Sequence, residues 1–138
     1  AYCLVDTGPP KEGKVRNRTL KVYNTYTPVW NETFGYPVKQ GDGYGAVVNL
    51  ELRDWDLVGE HDFIGHCSID LSELAKTAYE VGEPQYLLNE WMNLLHETRS
   101  GKIKTVKGHN GKTSKVKVSF KCMPPPGGRE AAARRTSI

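Results

Sequence analysis

The stretch Val48-Asn49-Leu50-Glu51-Leu52-Arg53-Asp54-Trp55-Asp56-Leu57-Val58-Gly59-Glu60-His61-Asp62-Phe63-Ile64-Gly65 decides how this chain folds. Its first part alternates apolar Val48, Leu50 and Leu52 with polar Asn49, Glu51 and Arg53, the two-residue period of a half-buried strand. From Phe63 to Leu71 a second strand follows. Between the two, Asp54, Asp56 and Asp62 stand at relative positions 0, +2 and +8. The pattern is a carboxylate-lined turn joining two strands, with apolar Leu57 and Val58 at its tip. Carboxylates crowded on one loop repel each other unless a cation sits between them. Hard oxygen ligands of this kind suit Ca²⁺, which accepts an irregular shell of roughly 6–8 oxygens. The exposed tip points to a partner that accepts apolar side chains.

Outward from this stretch, strand signals recur and helical ones are scarce. Tyr2 to Val5 is short and apolar, and the breaker-rich Gly8-Pro9-Pro10-Lys11-Glu12-Gly13 ends it. Lys14 to Tyr23 reads as a strand with Val15, Leu20 and Val22 apolar and Lys14, Arg16, Arg18 and Lys21 basic. Val29 to Phe34 and Gln85 to Leu95 read as further strands. Val116, Val118 and Phe120 alternate with Lys115, Lys117 and Lys121 in a last one. Asp70 to Lys76 fits one helical turn capped by Asp70 or Ser72, and Lys102 to Lys112 is a basic, Gly-containing connection. Short strands at regular spacing, with turns between them, indicate an all-β antiparallel sandwich over residues 1–123. Residues 124–138 read as a Pro/Gly linker and a flexible polar tail.

At 138 residues the chain is one domain. No run approaches the roughly 18 apolar residues of a membrane span, and Ala1-Tyr2-Cys3-Leu4-Val5 reads as a strand in progress rather than a signal peptide. The net charge of +3 conceals an asymmetry: residues 101–128 hold seven lysines and no acid, whereas acids dominate from Asp54 to Glu90. A basic half suggests contact with phosphates, of nucleic acid or of anionic lipid. The three cysteines, Cys3, Cys67 and Cys122, lack metal-type pairing. Their sparseness favours a reducing compartment; a Cys67–Cys122 bridge in a secreted protein is the alternative. Asn17-Arg18-Thr19 and Asn31-Glu32-Thr33 match the short glycosylation pattern.

Four segments in order resemble the C2 domain family. Thr27-Pro28-Val29-Trp30-Asn31-Glu32-Thr33-Phe34 is similar to the family's N-P-x-W-N-E-x-F signature. The aspartate stretch with its Asp62-Phe63-Ile64-Gly65 exit resembles the third calcium-binding loop. Ala1 to Val5 resembles the segment after the first loop, and Trp91-Met92-Asn93-Leu94 the late W-x-x-L strand. The resemblance covers about residues 1–122. It implies an eight-stranded Greek-key sandwich whose loops at one end bind Ca²⁺ and anionic phospholipid. The position of Lys115–Lys121 after the W-x-x-L strand resembles the phospholipase-type permuted topology. The family's opening strand and first calcium loop are expected before Ala1. Without them the sandwich would be one strand short, with an open edge that another chain could complete, and Ca²⁺ would be held weakly.

Carried over by resemblance, Asp54, Asp56, Asp62 and the Trp55 carbonyl are the Ca²⁺ ligands, and Gly59 replaces a Ser oxygen found in some members. Leu57 and Val58 correspond to the residues inserted into lipid. Lys14, Arg16, Arg18 and Lys21 correspond to a phosphoinositide-binding basic patch, with Arg16 and Arg18 on one face because side chains alternate. His61, His66, His96 and His109 show no catalytic context, and no aromatic stacking motif supports RNA binding. No nucleic-acid partner and no enzymatic role are expected of this chain. Arg134-Arg135-Thr136-Ser137-Ile138 resembles a basophilic kinase site at Ser137 or a PDZ ligand. The main reading is a calcium-dependent, cytoplasmic, peripheral membrane-targeting module. Its alternatives are a calcium-independent interaction module in a larger assembly, and the C2 domain of a secreted perforin-like protein.

Overall fold

The computed structural model describes residues 1–8, 16–23, 25–38, 46–54, 62–108, 110–125 and 132–137, with the backbone alone at Val38, Asp62 and residues 132–137. Ten strands and one helix lie among the described residues. In chain order they are β1 (Tyr2–Thr7), β2 (Asn17–Arg18), β3 (Thr33–Val38), β4 (Val47–Asp54), β5 (Asp62–Asp70), α1 (Ser72–Val81), β6 (Gln85–Asn93), β7 (Leu95–Glu97), β8 (Ile103–Thr105), β9 (Lys115–Met123) and β10 (Ala132–Ser137). They form two antiparallel sheets, β2-β1-β4-β5-β7-β8 and β3-β10-β9-β6.

Alternation builds the core between the sheets. Val48, Leu50 and Leu52 of β4 and Cys3 and Val5 of β1 face Val116, Val118, Phe120 and Cys122 of β9 across the interior. Phe120 is the largest of the fully buried side chains. One end of the interior is closed by α1, where Ala75 and Ala78 are buried and Leu74 packs beside them. This helix is longer than the single turn expected from the sequence. Small residues on one face let it lie close to the sheet, and Gly82, in the left-handed region at φ 76°, ends it by donating to the Ala78 carbonyl. At its start the Asp70 carboxylate accepts the Ser72 N–H at 2.9 Å.

Three other segments depart from the sequence reading. The single strand expected from Gln85 to Leu95 divides at Leu94, which is buried. Its N–H donates to Ser114 and its carbonyl accepts from Val106, so the chain leaves one sheet as β6 and enters the other as β7. The basic connection after it contains β8, paired with β7. Seven strands are read from the sequence within the chain, and β7, β8 and β10 bring the described strands to ten. Residues 124–138, expected as linker and tail, contain β10, which pairs with β3 on one side and β9 on the other. Without it both neighbours would present unpaired N–H and C=O groups.

All three cysteines are buried thiols, so the Cys67–Cys122 bridge considered above is not formed. Burial pushes the Cys3 and Cys67 thiols up to about 12.

Candidate functional site

Strands β4 and β5 carry the aspartates that the sequence singles out. Their register ends with Arg53 opposite Phe63 and Asp54 opposite Asp62, after a shift between Leu52 and Arg53 that makes Ile64 the extra residue. Directly opposed residues on antiparallel strands have Cα atoms about 4.5–5.5 Å apart. Two aspartates therefore close the ladder as a facing pair, where like charges are unfavourable. The Asp54 side chain is 65% exposed, and its Oδ1 lies 3.6 Å from the amino group of Ala1. Trp55, Asp56, Leu57 and Val58 lie outside the described residues. Among the described residues, no three His, Cys, Asp or Glu side chains converge as a metal shell. What the structure contributes to the donor set is the Asp54/Asp62 juxtaposition.

Just after this pair the exit Asp62-Phe63-Ile64-Gly65 has a packing reason for its glycine. A Cβ on Gly65 would lie 2.9 Å from Val106 Cγ2 and 3.0 Å from Leu94 Cβ. The chain crossing between the two sheets at Leu94 thus presses on β5 where β5 leaves the aspartate segment.

The basic patch is reduced and re-partnered relative to the sequence reading. Among the described residues of this segment, only Asn17–Arg18 forms a strand, β2, with Arg18 opposite Leu4. Val15 stands at odd parity and Leu20 and Val22 at even, so no single face could bury all three. Thr19 goes inside instead, at 2% exposure, and Leu20 is exposed. The Thr19 Oγ1 accepts the Cys3 N–H at 2.9 Å, while the Thr19 N–H donates to the Cys3 carbonyl at 2.9 Å. A side-chain oxygen thus takes the place of a ladder carbonyl. Next, the Leu20 N–H donates to Glu32 Oε2 at 2.8 Å.

Arg18 lies over the Tyr2 ring, 5.8 Å from its centroid. Arg16 does not stand free: its Nη1 lies 3.1 Å from Glu51 Oε2, which also takes Arg53 Nε at 2.7 Å. Lys21 is half-buried, and Lys14 lies outside the described residues. Two groups that the sequence did not single out, Glu51 and Arg53, therefore set the charge of this face. Their alternation with Leu50 and Leu52 signalled only outward polar positions.

The tryptophan signature has structural roles. Trp30 and Phe34 pack on the core. Asn31 takes φ 50°, a conformation that Asn tolerates better than most residues. Glu32 ties this segment to Leu20 as above. From β3, Tyr36 spans the two sheets: its hydroxyl donates to the Val5 carbonyl at 3.2 Å and accepts from Asn17 Nδ2 at 2.8 Å. Burial raises its proton affinity, which keeps the donor in place. Ser137 ends β10 opposite Thr33 and Ser119.

The C2 domain family model matches residues 1–94. Three curated proteins show comparable similarity. The Drosophila melanogaster protein kinase C eye isozyme is 32% identical over 75 residues, covering 54% of this chain and 11% of that protein. Arabidopsis thaliana synaptotagmin-5 is 31% identical over 93 residues, covering 67% and 14%. Mus musculus Ras GTPase-activating protein 4 is 36% identical over 64 residues, covering 46% and 8%. The matches thus span about a tenth of the length of these relatives. No solved structure matches the chain significantly.

Proposed function

The chain belongs to the C2 domain family, and from that premise we propose that it is a calcium-dependent module that holds the protein carrying it on anionic phospholipid membranes. The observation that carries this reading is the facing pair Asp54/Asp62 at the end of β4 and β5. Two carboxylate residues in direct opposition are a liability without a cation and a ligand pair with one. Asp54, Asp56, Asp62 and the Trp55 carbonyl would hold the ion. Bound there, Ca²⁺ supplies the positive charge that lets an acidic surface meet lipid phosphate.

The chain's own residues do the rest. Leu57 and Val58 enter the acyl boundary, contributing on the order of 2–4 kcal/mol together. Each cation near an anionic leaflet adds about 1 kcal/mol. Arg18 is the leading candidate for phosphoinositide contact, with Lys14 and Lys21 beside it in the chain, because Arg16 shares Glu51 with Arg53. The module is non-catalytic and acts at the cytoplasmic face of the membrane. Attachment through this surface would be peripheral; among the described residues no helix is long and apolar enough to cross a bilayer.

The test is vesicle co-sedimentation of the full chain in Ca²⁺ and in EGTA. Asp54→Asn combined with Asp56→Asn is expected to abolish the calcium-stimulated fraction. Undiminished stimulation in the double variant would sink the proposal.

A further inference from the structure

The lysine-rich half of the chain plays no part in the calcium reading, yet the fold sets three of its seven lysines on one surface. On β9, Val116, Val118, Phe120 and Cys122 are buried, so Lys115, Lys117 and Lys121 stand on the opposite, outward side of the four-stranded sheet. Their register partners on β6 are Asn93, Trp91 and Tyr86. Two of these pairs are Lys–aromatic contacts. Lys117 Nζ lies 5.8 Å from the centre of the Trp91 ring, and Lys121 Nζ lies 5.5 Å from that of Tyr86. Trp91 is 63% exposed, Tyr86 52% and, between them, Leu88 59%.

A bulge between Leu87 and Glu90 sets this arrangement. Asn89, at φ 56°, makes the irregular step, and its N–H donates to Ser119 Oγ at 2.9 Å. The step restores phase so that Glu90 lies opposite inward-facing Val118, and Trp91 returns to the outer face. The outward register positions between β6 and β9 therefore hold Asn93/Lys115, Trp91/Lys117 and Tyr86/Lys121, and Glu90, exposed beside Trp91, is the carboxylate residue that borders them. None of the three lysines is in a salt bridge with a described residue.

We propose that this β6/β9 face is a second, calcium-independent membrane-docking surface, whose occupant is an anionic phospholipid bilayer. Charge complementarity and residue type argue for it together. Tyr and Trp with lysine stems laid against them are amphipathic groups suited to the headgroup level of a bilayer. The cations are all lysines, compact point charges without the planar fork that fixes one carboxylate, which suits a diffuse layer of phosphates. At about 3.3 Å rise per residue, Lys115 to Lys121 extends over roughly 20 Å, long enough to meet several headgroups. The face lies on the sheet that does not contain β4 and β5, so it does not depend on the calcium reading.

The experiment is co-sedimentation of the full chain, in excess EGTA, with phosphatidylcholine vesicles containing or lacking phosphatidylserine. Wild type is expected to bind the phosphatidylserine vesicles only, more weakly as salt rises. At roughly fivefold per lysine, combining Lys115→Gln, Lys117→Gln and Lys121→Gln should lower partitioning on the order of 100-fold. Trp91→Ala should weaken binding without changing its salt dependence, since it removes no charge. Excess EGTA leaves no Ca²⁺ for the aspartate site, so binding under these conditions reports this surface separately from that one. The proposal is overturned if wild type ignores phosphatidylserine vesicles in EGTA or if the triple variant binds as well as wild type. Binding of soluble polyglutamate as tightly as the vesicles would also overturn it, in favour of an acidic protein partner.

Discussion

Thr19→Val tests whether a side-chain oxygen holds the basic segment onto the sheet. Thr19 is nearly isosteric with Val, and Cys3, whose N–H it accepts, is fully buried. The substitution leaves that N–H facing a methyl group. An orphaned buried donor costs about 1–3 kcal/mol, and the added methyl returns up to about 0.8 kcal/mol of burial. The net expectation is a loss of about 1–2 kcal/mol. With a urea slope of about 2 kcal/mol/M, within the range typical of small domains, the midpoint should fall by roughly 0.5–1 M at unchanged slope. Amide exchange adds residue-level resolution: Cys3 should lose protection in Thr19→Val and keep it in Thr19→Ser, which retains the oxygen. Arg18 precedes Thr19, so phosphoinositide affinity should fall in Thr19→Val as well. Stability within 0.5 kcal/mol of wild type, with Cys3 protection unchanged, would refute the reasoning.

Gly65→Ala should destabilise by about 1–3 kcal/mol in chemical denaturation, because its Cβ would press on Val106 and Leu94 at the sheet crossing; an unchanged midpoint would contradict that packing. Leu57→Ala with Val58→Ala should weaken calcium-stimulated vesicle affinity by about 2–4 kcal/mol while leaving calcium binding in solution intact, as read by titration with and without vesicles. The buried thiols make stability pH-dependent. Cys3 and Cys67 hold their protons to about 12 in the folded chain, against the ordinary 9.0. Their contribution is therefore complete below pH 9 and lost as the pH rises toward 12. Denaturation midpoints should decline over that window, and less steeply in Cys3→Ala.

Where the sequence is regular, the fold was legible. In β4 and β9, Val48, Leu50 and Leu52, and Val116, Val118 and Phe120, all point inward as alternation requires. The W-N-E-x-F signature and the aspartate stretch identify the family because their residues recur at fixed spacing. What escaped the sequence depends on contacts between distant segments. Thr19 is buried to satisfy a backbone N–H rather than from hydrophobicity, so a hydropathy pattern points to Leu20 instead. The break at Leu94 arises from its bonds to Ser114 and Val106. Ala132–Ser137 looks like tail by composition and becomes strand only because β3 and β9 both offer it partners.

The candidate sites divide in the same way. Asp54, Asp56 and Asp62 stand out in the sequence, but the direct opposition of Asp54 and Asp62 depends on the register shift beside Leu52. Arg16 reads as a free cation until Glu51 is seen to share it with Arg53. The Lys117/Trp91 and Lys121/Tyr86 contacts join residues 26 and 35 positions apart, and no local period announces them.

The central claim is that the aspartate end of β4 and β5 holds Ca²⁺. Calorimetric titration of the full chain with Ca²⁺ tests it most directly, with Asp54→Asn beside wild type. The account predicts a saturable heat in wild type, within the roughly micromolar-to-millimolar range of protein calcium sites, and its loss in the variant. A flat titration in wild type would contradict it and leave a calcium-independent interaction module in its place.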